Sequence, residues 1–154
     1  KISGLPQMKF AWLAVSGPDA EKREAVARLE MVADTYLSLN APIQLAAPVL
    51  LQQRKKFQEQ LMARVGANLT ELDAQLAEKK QVGRLGVEGG WYAVLRIPAT
   101  RPDEELALEL LEKRDVYLHP GHYYDFPGDG YLVVSLIAPT QDFSEGLRRI
   151  LSAI

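Results

Sequence analysis

The stretch between Pro42 and Lys80 constrains the fold of this chain most, because apolar residues recur along all of it at helical spacing. Residues three and four positions apart share one face of an α-helix, so the stretch predicts one very long amphipathic helix, or two joined near Gly66. From Lys55 to Lys80 the charged positions alternate in sign, which is typical of a solvated face. The apolar positions are Ile43, Ala47, Leu50, Phe57, Leu61, Val65, Leu69, Leu72 and Leu76.

The residues before this helix predict one strand and one further helix. The apolar run Phe10–Val15 is typical of a buried strand, because strands covered on both faces are apolar throughout. The sequence offers no neighbouring strands for it, so we expect the chain to be a fragment of a larger protein. A helix is predicted from about Ala20 to Leu37, ended by the break at Asn40–Pro42.

After Lys80 the long apolar repeat ends, and the residues predict an alternation of strands and helices. The predicted order is β-α-β-β-α, which favours an α+β fold with helices packed on a small, mostly antiparallel sheet. Glycines between Gly83 and Gly90 predict a hinge or turn and not a phosphate-binding loop, because a strand follows and no Gly-Lys-Ser/Thr does. The elements are Trp91–Ile97, Pro102–Lys113, Val116–His119, Tyr131–Ala138 and a helix from about Asp142 to the end.

Composition excludes several classes of function. Apolar residues make up 47% and charged residues 25%, the balance of a globular protein, and the formal charge of −2 argues against a nucleic-acid partner. The absence of cysteine excludes disulfides and thiolate chemistry. No apolar run approaches the roughly 20 residues of a membrane span and no signal peptide opens the chain, so we expect a cytoplasmic protein without a membrane partner.

Two other groups of polar residues are weak candidates for chemistry. His119 and His122 are followed by Asp125 in a predicted loop, but a metal site needs further ligands on a rigid element, so no metal is expected. We expect the loop to pack over the edge of the domain. Ser135 and Ser144 lack the pattern of a hydrolase triad.

The first residues carry a family resemblance. The segment Lys1–Trp12, KISGLPQMKFAW, resembles the residues that follow the cofactor lysine in class I/II, fold type I, pyridoxal-phosphate (PLP) aminotransferases. In that family the lysine forms an imine with the cofactor aldehyde and moves the proton at the substrate α-carbon. A cation eight positions later holds the cofactor phosphate. The resemblance therefore implies that Lys1 is the catalytic, cofactor-binding lysine and that Lys9 binds the phosphate, where the family usually has arginine.

Further segments are similar to the same family in the same order. Arg28–Ser38 and Ala41–Gln44 resemble the region between the lysine segment and the bridging helix. Val116–Phe126 resembles a small-domain segment that lies near the substrate entrance in the family. Gly130–Ser135 and Phe143–Leu151 resemble the closing strand and helix.

The resemblance implies a division of the chain and a function. Residues 1–40 would be a remnant of the large PLP-binding domain, residues 42–80 the bridging helix, and residues 81–154 the C-terminal small domain. The whole protein would be a homodimer that transfers an amino group between an amino acid and a 2-oxo acid. Other residues that contact the cofactor ring lie before the lysine, in the missing N-terminal large domain, so we expect this fragment itself to be inactive.

One residue departs from the family pattern. The closing strand of the family usually carries an arginine that binds the substrate carboxylate, and the matching residue here is Val133. Arg96, on the adjacent predicted strand, is a candidate substitute, or it is an edge-strand arginine that points to solvent. The alternatives to a transaminase are a PLP-dependent lyase, the aminotransferase-like domain of a transcription regulator, and a non-catalytic α+β binding module.

Overall fold

The computed structural model of the chain describes residues 1–37 and 39–154, so Ser38, the last residue of the stretch Arg28–Ser38, lies outside the described residues. The described residues form four α-helices and a small antiparallel sheet, which confirms the predicted α+β class. The helices are α1 (Asp19–Thr35), α2 (Ala41–Ala77), α3 (Asp103–Arg114) and α4 (Thr140–Leu151), and the strands are β1 (Gly83–Arg84), β2 (Tyr92–Arg96), β3 (His119–Pro120) and β4 (Tyr131–Ser135). Two 3-10 turns cover Pro6–Met8 and Gly121–Tyr124.

The chain divides into two compact units, Lys1–Glu59 and Gln60–Ile154, and the division falls within α2. The prediction of a very long helix is confirmed in its continuous form, because α2 passes through Gly66 without a break. The helix begins after Asn40, whose side-chain Oδ1 accepts a hydrogen bond of 3.0 Å from the amide of Ile43. Such a bond satisfies one of the free N–H groups at a helix start.

The predicted strand at Phe10–Val15 is wrong. These residues have no regular secondary structure, and Trp12 and Leu13 are 59% and 75% exposed. A strand requires hydrogen bonds to a neighbouring strand, and the described residues of the first unit contain no strand that could supply them. The helix predicted from Ala20 to Leu37 is present as α1, which begins at Asp19 and ends at Thr35.

The sheet of the second unit has the order β1-β2-β4-β3, with every pair antiparallel. Strand β1 was not expected, because Gly83 and Arg84 lie in the segment predicted as a hinge or turn. The strand predicted at Val116–His119 begins only at His119. Both strands have two residues, too few for a local pattern, and exist because their neighbours supply hydrogen-bond partners.

One face of the sheet builds the core of the second unit. Its inward residues pack with apolar side chains of α2, α3 and α4, such as Leu72, Leu110 and Leu147. Successive residues of a strand point to opposite faces, so this arrangement leaves the other face of the sheet uncovered by that core. The inward strand residues are Ala93, Leu95, Leu132 and Val134.

A buried polar side chain joins α2 to the end of β4. Asn68 has no exposed surface, and its Nδ2 donates hydrogen bonds of 2.9 Å to the carbonyl oxygens of both Leu136 and Ala138. Its Oδ1 has no hydrogen-bond partner among the described residues. The amide nitrogen therefore holds two carbonyl groups that follow the strand.

Candidate functional site

The segment that carries the two predicted cofactor lysines has a compact backbone. The amide of Gly4 donates a hydrogen bond of 2.8 Å to the carbonyl oxygen of Lys1, which closes a tight turn. The 3-10 turn Pro6–Met8 then ends at Lys9, whose amide donates to the carbonyl of Pro6 at 3.2 Å. Lys9 adopts a left-handed conformation with φ of 53°, which is uncommon for a residue other than glycine.

This segment is attached to the first part of α2. Ser3 Oγ donates to the carbonyl of Leu50 at 3.0 Å, and Gln58 Nε2 donates to the carbonyl of Ile2 at 3.2 Å. A Cβ atom at Gly4 would lie 2.6 Å from the ring of Phe57, and the φ of Gly4 is 74°. A side chain at this position would be strained by its φ and would displace the Phe57 ring, so the turn after Lys1 favours glycine.

The chemistry of the two lysines fits a phosphorylated aldehyde cofactor such as PLP. Lys1 and Lys9 are both exposed and both belong to the first unit. A primary amine can form an imine with an aldehyde, and an ammonium group can pair with a phosphate. Lys1 also lines a small pocket together with Ile43, Ala47 and Leu50. The attached turn therefore fixes the backbone from which both amines project.

Arg96, the predicted substrate-binding residue, lies in the second unit on β2. In the alternative that Arg96 is an edge-strand arginine pointing to solvent, the edge position is wrong, because β2 has β1 on one side and β4 on the other. Its side chain is exposed, on the face of the sheet opposite the core. In the described part of the chain it forms no ion pair, so its charge is available to a ligand.

Val133 lies at the centre of that outer face. It pairs with Val94 of β2 and with His119 of β3, so these three residues form one row across the sheet. Val133 is only 4% exposed although it does not belong to the helix-covered core. Other side chains of the outer face must therefore cover it.

Aromatic residues around His119 occupy this outer face. The Nδ1 atom of His119 lies 2.8 Å from the hydroxyl of Tyr124, and its Nε2 atom lies 3.0 Å from the hydroxyl of Tyr117. The ring of Tyr92 lies 6.0 Å from that of Tyr124. We call Tyr92, Tyr117, His119 and Tyr124 the phenol–imidazole cluster.

The cluster was missed by sequence reasoning, which predicted only a packing loop. Residues 117 and 119 are two positions apart in an extended segment, which could have indicated a shared face. Their meeting with Tyr124 depends on the turn at Gly121–Tyr124, and their position beside Val133 depends on the pairing of β3 with β4. Neither is readable from local sequence.

The surroundings of Tyr124 keep its hydroxyl protonated. Burial raises the pKa of the Tyr124 phenol above its ordinary value, and the neighbouring phenol of Tyr92 raises it further. No group of three or more His, Cys, Asp or Glu side chains that could hold a metal occurs within residues 1–37 and 39–154.

The family is established by sequence comparison. The family described as "Aminotransferase class I and II" matches residues 1–150, nearly the whole chain. The chain belongs to this family. Among curated proteins, none matches the chain significantly.

Solved structures share the fold at low sequence identity. A PLP-dependent aminotransferase from Streptococcus suis 89-1591 matches with a TM-score of 0.82 and 21% identity over 97% of this chain and 38% of its own. An aspartate aminotransferase from Thermotoga maritima matches with a TM-score of 0.68 and 22% identity over 85% of this chain and 33% of its own. An α-aminoadipate aminotransferase from Thermus thermophilus matches with a TM-score of 0.61 and 20% identity over 84% of this chain and 35% of its own. The chain thus spans little more than a third of the length of these structures.

No helix in the described ranges is long and apolar enough to cross a membrane.

Proposed function

We propose that this chain is the C-terminal part of a PLP-dependent aminotransferase that transfers an amino group between an amino acid and a 2-oxo acid. The observation that carries the proposal is the family match, which begins at Lys1 and includes Lys9. When bound, PLP would supply the electron-withdrawing ring that makes proton removal from a substrate α-carbon possible. Lys1 would hold the cofactor and move that proton, and Lys9 would pair with the phosphate.

We further propose the division of the chain that the resemblance implies. Residues 1–40 would belong to the large cofactor-binding domain, residues 42–80 would be the bridging helix, and residues 81–154 would be the small domain. The whole protein would be a cytoplasmic homodimer. Because further cofactor contacts would come from residues outside this chain, the isolated 154-residue chain should not bind PLP stoichiometrically, and tight binding to it would refute this account.

The test of the cofactor assignment is made on the longer protein that contains this chain. The protein should show the visible absorption of lysine-bound PLP, and Lys1→Ala should abolish it. Lys55→Ala, which removes an exposed amine on α2, is the matched control and should leave the spectrum unchanged. An unaltered spectrum in Lys1→Ala would overturn the assignment.

A non-transaminating relative is the second candidate, and the buried position of Val133 favours it. A valine cannot bind the substrate carboxylate, and an unpaired buried anion is costly. A PLP-dependent lyase or the aminotransferase-like domain of a transcription regulator would satisfy this observation, as would a binding module without chemistry. A parent protein of roughly 400 residues favours the enzyme, whereas an N-terminal winged helix favours the regulator.

Arg96 is the proposed carboxylate-binding residue of the transaminase. It is exposed on the same face of the sheet as Val133, two register positions away. Arg96→Ala should raise the Michaelis constant of the longer protein for amino donors, whereas Arg84→Ala on β1, whose guanidinium is paired with Asp73, should leave it unchanged. An unaffected constant in Arg96→Ala would remove Arg96 from the site.

A further inference from the structure

We propose that a cavity at the edge of the sheet, between β4 and α4, binds a short extended peptide segment that carries an aliphatic residue beside a basic one. The cavity has a volume of about 210 Å³, and all the residues that line it belong to the second unit. The proposal goes beyond the aminotransferase assignment and does not depend on Lys1 or Lys9.

The cavity lies where the pairing of β3 with β4 stops. His119 is paired with Val133, so in the same antiparallel register Tyr117 would lie opposite Ser135. In the described ranges no backbone hydrogen bond joins Tyr117 to Ser135, although both residues line the cavity. The last residues of β4 therefore have β2 on one side and a gap on the other.

The end of α3 holds this gap open. Asp115 ends the helix in a left-handed conformation with φ of 54°, and the amide of Val116 donates to the carbonyl of Leu110 at 3.1 Å. Such a bond is typical of a helix C-terminal cap. The chain that leaves α3 is thus tied to its own helix before it reaches β4.

Ser135 presents an unpaired backbone donor and acceptor to the gap. The amide of Leu136 donates to the carbonyl of Trp91 at 2.8 Å, on the β2 side of β4. Backbone groups of successive strand residues point to opposite edges, so the N–H and C=O of Ser135 point to the gap. A peptide residue placed opposite Ser135 would form the two backbone hydrogen bonds of an antiparallel pair, which is how extended peptides add to the edge of a sheet.

The next residue of such a peptide would face an apolar interior. It would lie opposite Val134, whose side chain belongs to the core, so its own side chain would enter the cavity. An apolar cavity of roughly 150 Å³ is enough to bind benzene, so a single aliphatic side chain suits this one. Gly146 lies on the wall formed by α4, and nothing lies within 4 Å of the place where its Cβ would be. The apolar wall residues are Val116, Leu118, Val134, Phe143, Leu147 and Ile150.

The charge at the mouth of the cavity favours a basic residue beside the aliphatic one. Among the described residues that line the cavity, Asp115 and Asp142 are acidic and none is basic. Asp115 lies 3.9 Å from Arg149, yet its side chain is 93% exposed, and Asp142 is exposed as well. A lysine or arginine of the peptide would be attracted to these carboxylates, whereas an acidic residue would be repelled.

The experiment titrates the 154-residue chain with a lysyl-leucine dipeptide that is acetylated at its N-terminus and methylamidated at its C-terminus, and follows the backbone amides by NMR. The Ser135 and Gly146 signals should shift and saturate. The same blocked form of lysyl-glycine should bind about ten-fold more weakly, or worse, because it lacks the side chain that is buried. Blocked glutamyl-leucine should also bind more weakly than lysyl-leucine, and added salt should reduce this difference.

Two glycine variants test whether the cavity is the site. Gly146→Leu fills the cavity with a side chain of the chain itself and should weaken the binding of lysyl-leucine about ten-fold or more. Gly66→Leu is the matched control, because Gly66 is a helical glycine on α2 with equally open surroundings. It should bind lysyl-leucine like the unaltered chain.

Hydrogen exchange tests the backbone pairing directly. Bound lysyl-leucine should slow the exchange of the Ser135 amide, which points to the gap. The amide of Val134 points to β2 and serves as the internal reference, so its exchange should slow less.

Four results would overturn the proposal: no saturable shift, equal binding of lysyl-leucine and lysyl-glycine, unchanged binding in Gly146→Leu, or unchanged exchange of the Ser135 amide at saturation. Equal binding of the lysyl and glutamyl dipeptides would overturn the role of the two carboxylates. The ligand comparison and the exchange measurement need no variant, so they decide even if Gly146→Leu does not fold. The experiment uses no cofactor, so its failure is separate from a failure of the Lys1 assignment.

Discussion

The carboxylate of Asp103 accepts a hydrogen bond of 2.7 Å from the backbone amide of Gly130, which joins the first residue of α3 to the residue before β4. The second carboxylate oxygen accepts from the amide of Tyr131 at 2.9 Å. The amide of Asp103 itself donates to Asp129 Oδ1 at 3.0 Å. Asp103 is 2% exposed, so this side chain is an internal junction between a helix and a strand.

Asp103→Asn should destabilise the second unit. The amide keeps one acceptor oxygen but places an NH2 group against a backbone N–H, so one buried donor loses its partner. We expect a loss of about 1.5–3 kcal/mol in the free energy of unfolding, measured with urea. Glu104→Gln, at the next and exposed position of α3, is the control and should change stability by less than about 0.5 kcal/mol. Equal effects of the two changes would contradict the junction.

Gly121→Ala should destabilise the chain through lack of space. A Cβ atom there would lie 2.7 Å from Cβ of Tyr131, 3.0 Å from its carbonyl oxygen and 3.3 Å from Asp103 Oδ2. We expect a loss of about 1–3 kcal/mol in thermal or urea unfolding. Gly146→Ala in α4 is the opposite case, since nothing lies within 4 Å, and it should stabilise the chain by about 0.5–1 kcal/mol. If Gly121→Ala left the free energy of unfolding unchanged, the atoms around the added Cβ would have to move aside without cost.

Asn68→Ala should cost about 1–3 kcal/mol in the free energy of unfolding, because it leaves the buried carbonyl group of Leu136 and the half-buried carbonyl group of Ala138 without their donor. Asn68→Asp should be worse at neutral pH, since it turns a carboxylate oxygen toward two carbonyl oxygens. Thr70→Ala, at an exposed position on the same helix, should change stability by less than about 0.5 kcal/mol. Urea unfolding of the three variants checks the order, and a tolerated Asn68→Asp would exclude the assigned orientation of the amide.

The pH dependence of stability should contain a contribution from Glu145. Hydrogen bonds from Arg148 and then Arg149 lower the pKa of its carboxyl from 4.5 to about 2. A group whose pKa falls on folding stabilises the protein fully above the unfolded value, and this contribution disappears as the pH falls through the folded value. The stability difference between the unaltered chain and Glu145→Gln should therefore shrink between pH 4.5 and about 2. A difference that stays constant over this range would argue against these pairs in solution.

The sequence was sufficient for the elements whose pattern is long and local. The apolar spacing around Leu72 predicted one long helix or two joined near Gly66, of which the structure has the continuous form, and the helix predicted from about Asp142 to the end is present as α4. Both helices are defined by neighbours within a few positions. The strand prediction at Phe10–Val15 was wrong because an apolar run indicates a preference for burial. It does not supply the neighbouring strand to which a strand must hydrogen-bond.

The candidate sites, like the elements of the fold, could be predicted only where their residues lie close together in the sequence. Lys1 and Lys9 were found because they lie in one continuous segment. Tyr117, His119 and Tyr124 acquire their relationship from a strand pairing and a turn, which bring together groups whose roles are undefined until their distances are known.

Because both ring nitrogens of His119 are hydrogen-bonded, this imidazole should be a poor nucleophile toward acylating reagents. His122 lies at an exposed position of the following turn. Treatment of the chain with diethyl pyrocarbonate should therefore modify His122 first, and peptide mass spectrometry can measure the order. The hydrogen bonds between His119 and the two phenols would then shield its imidazole from acylation, and removal of either phenol should make it more reactive.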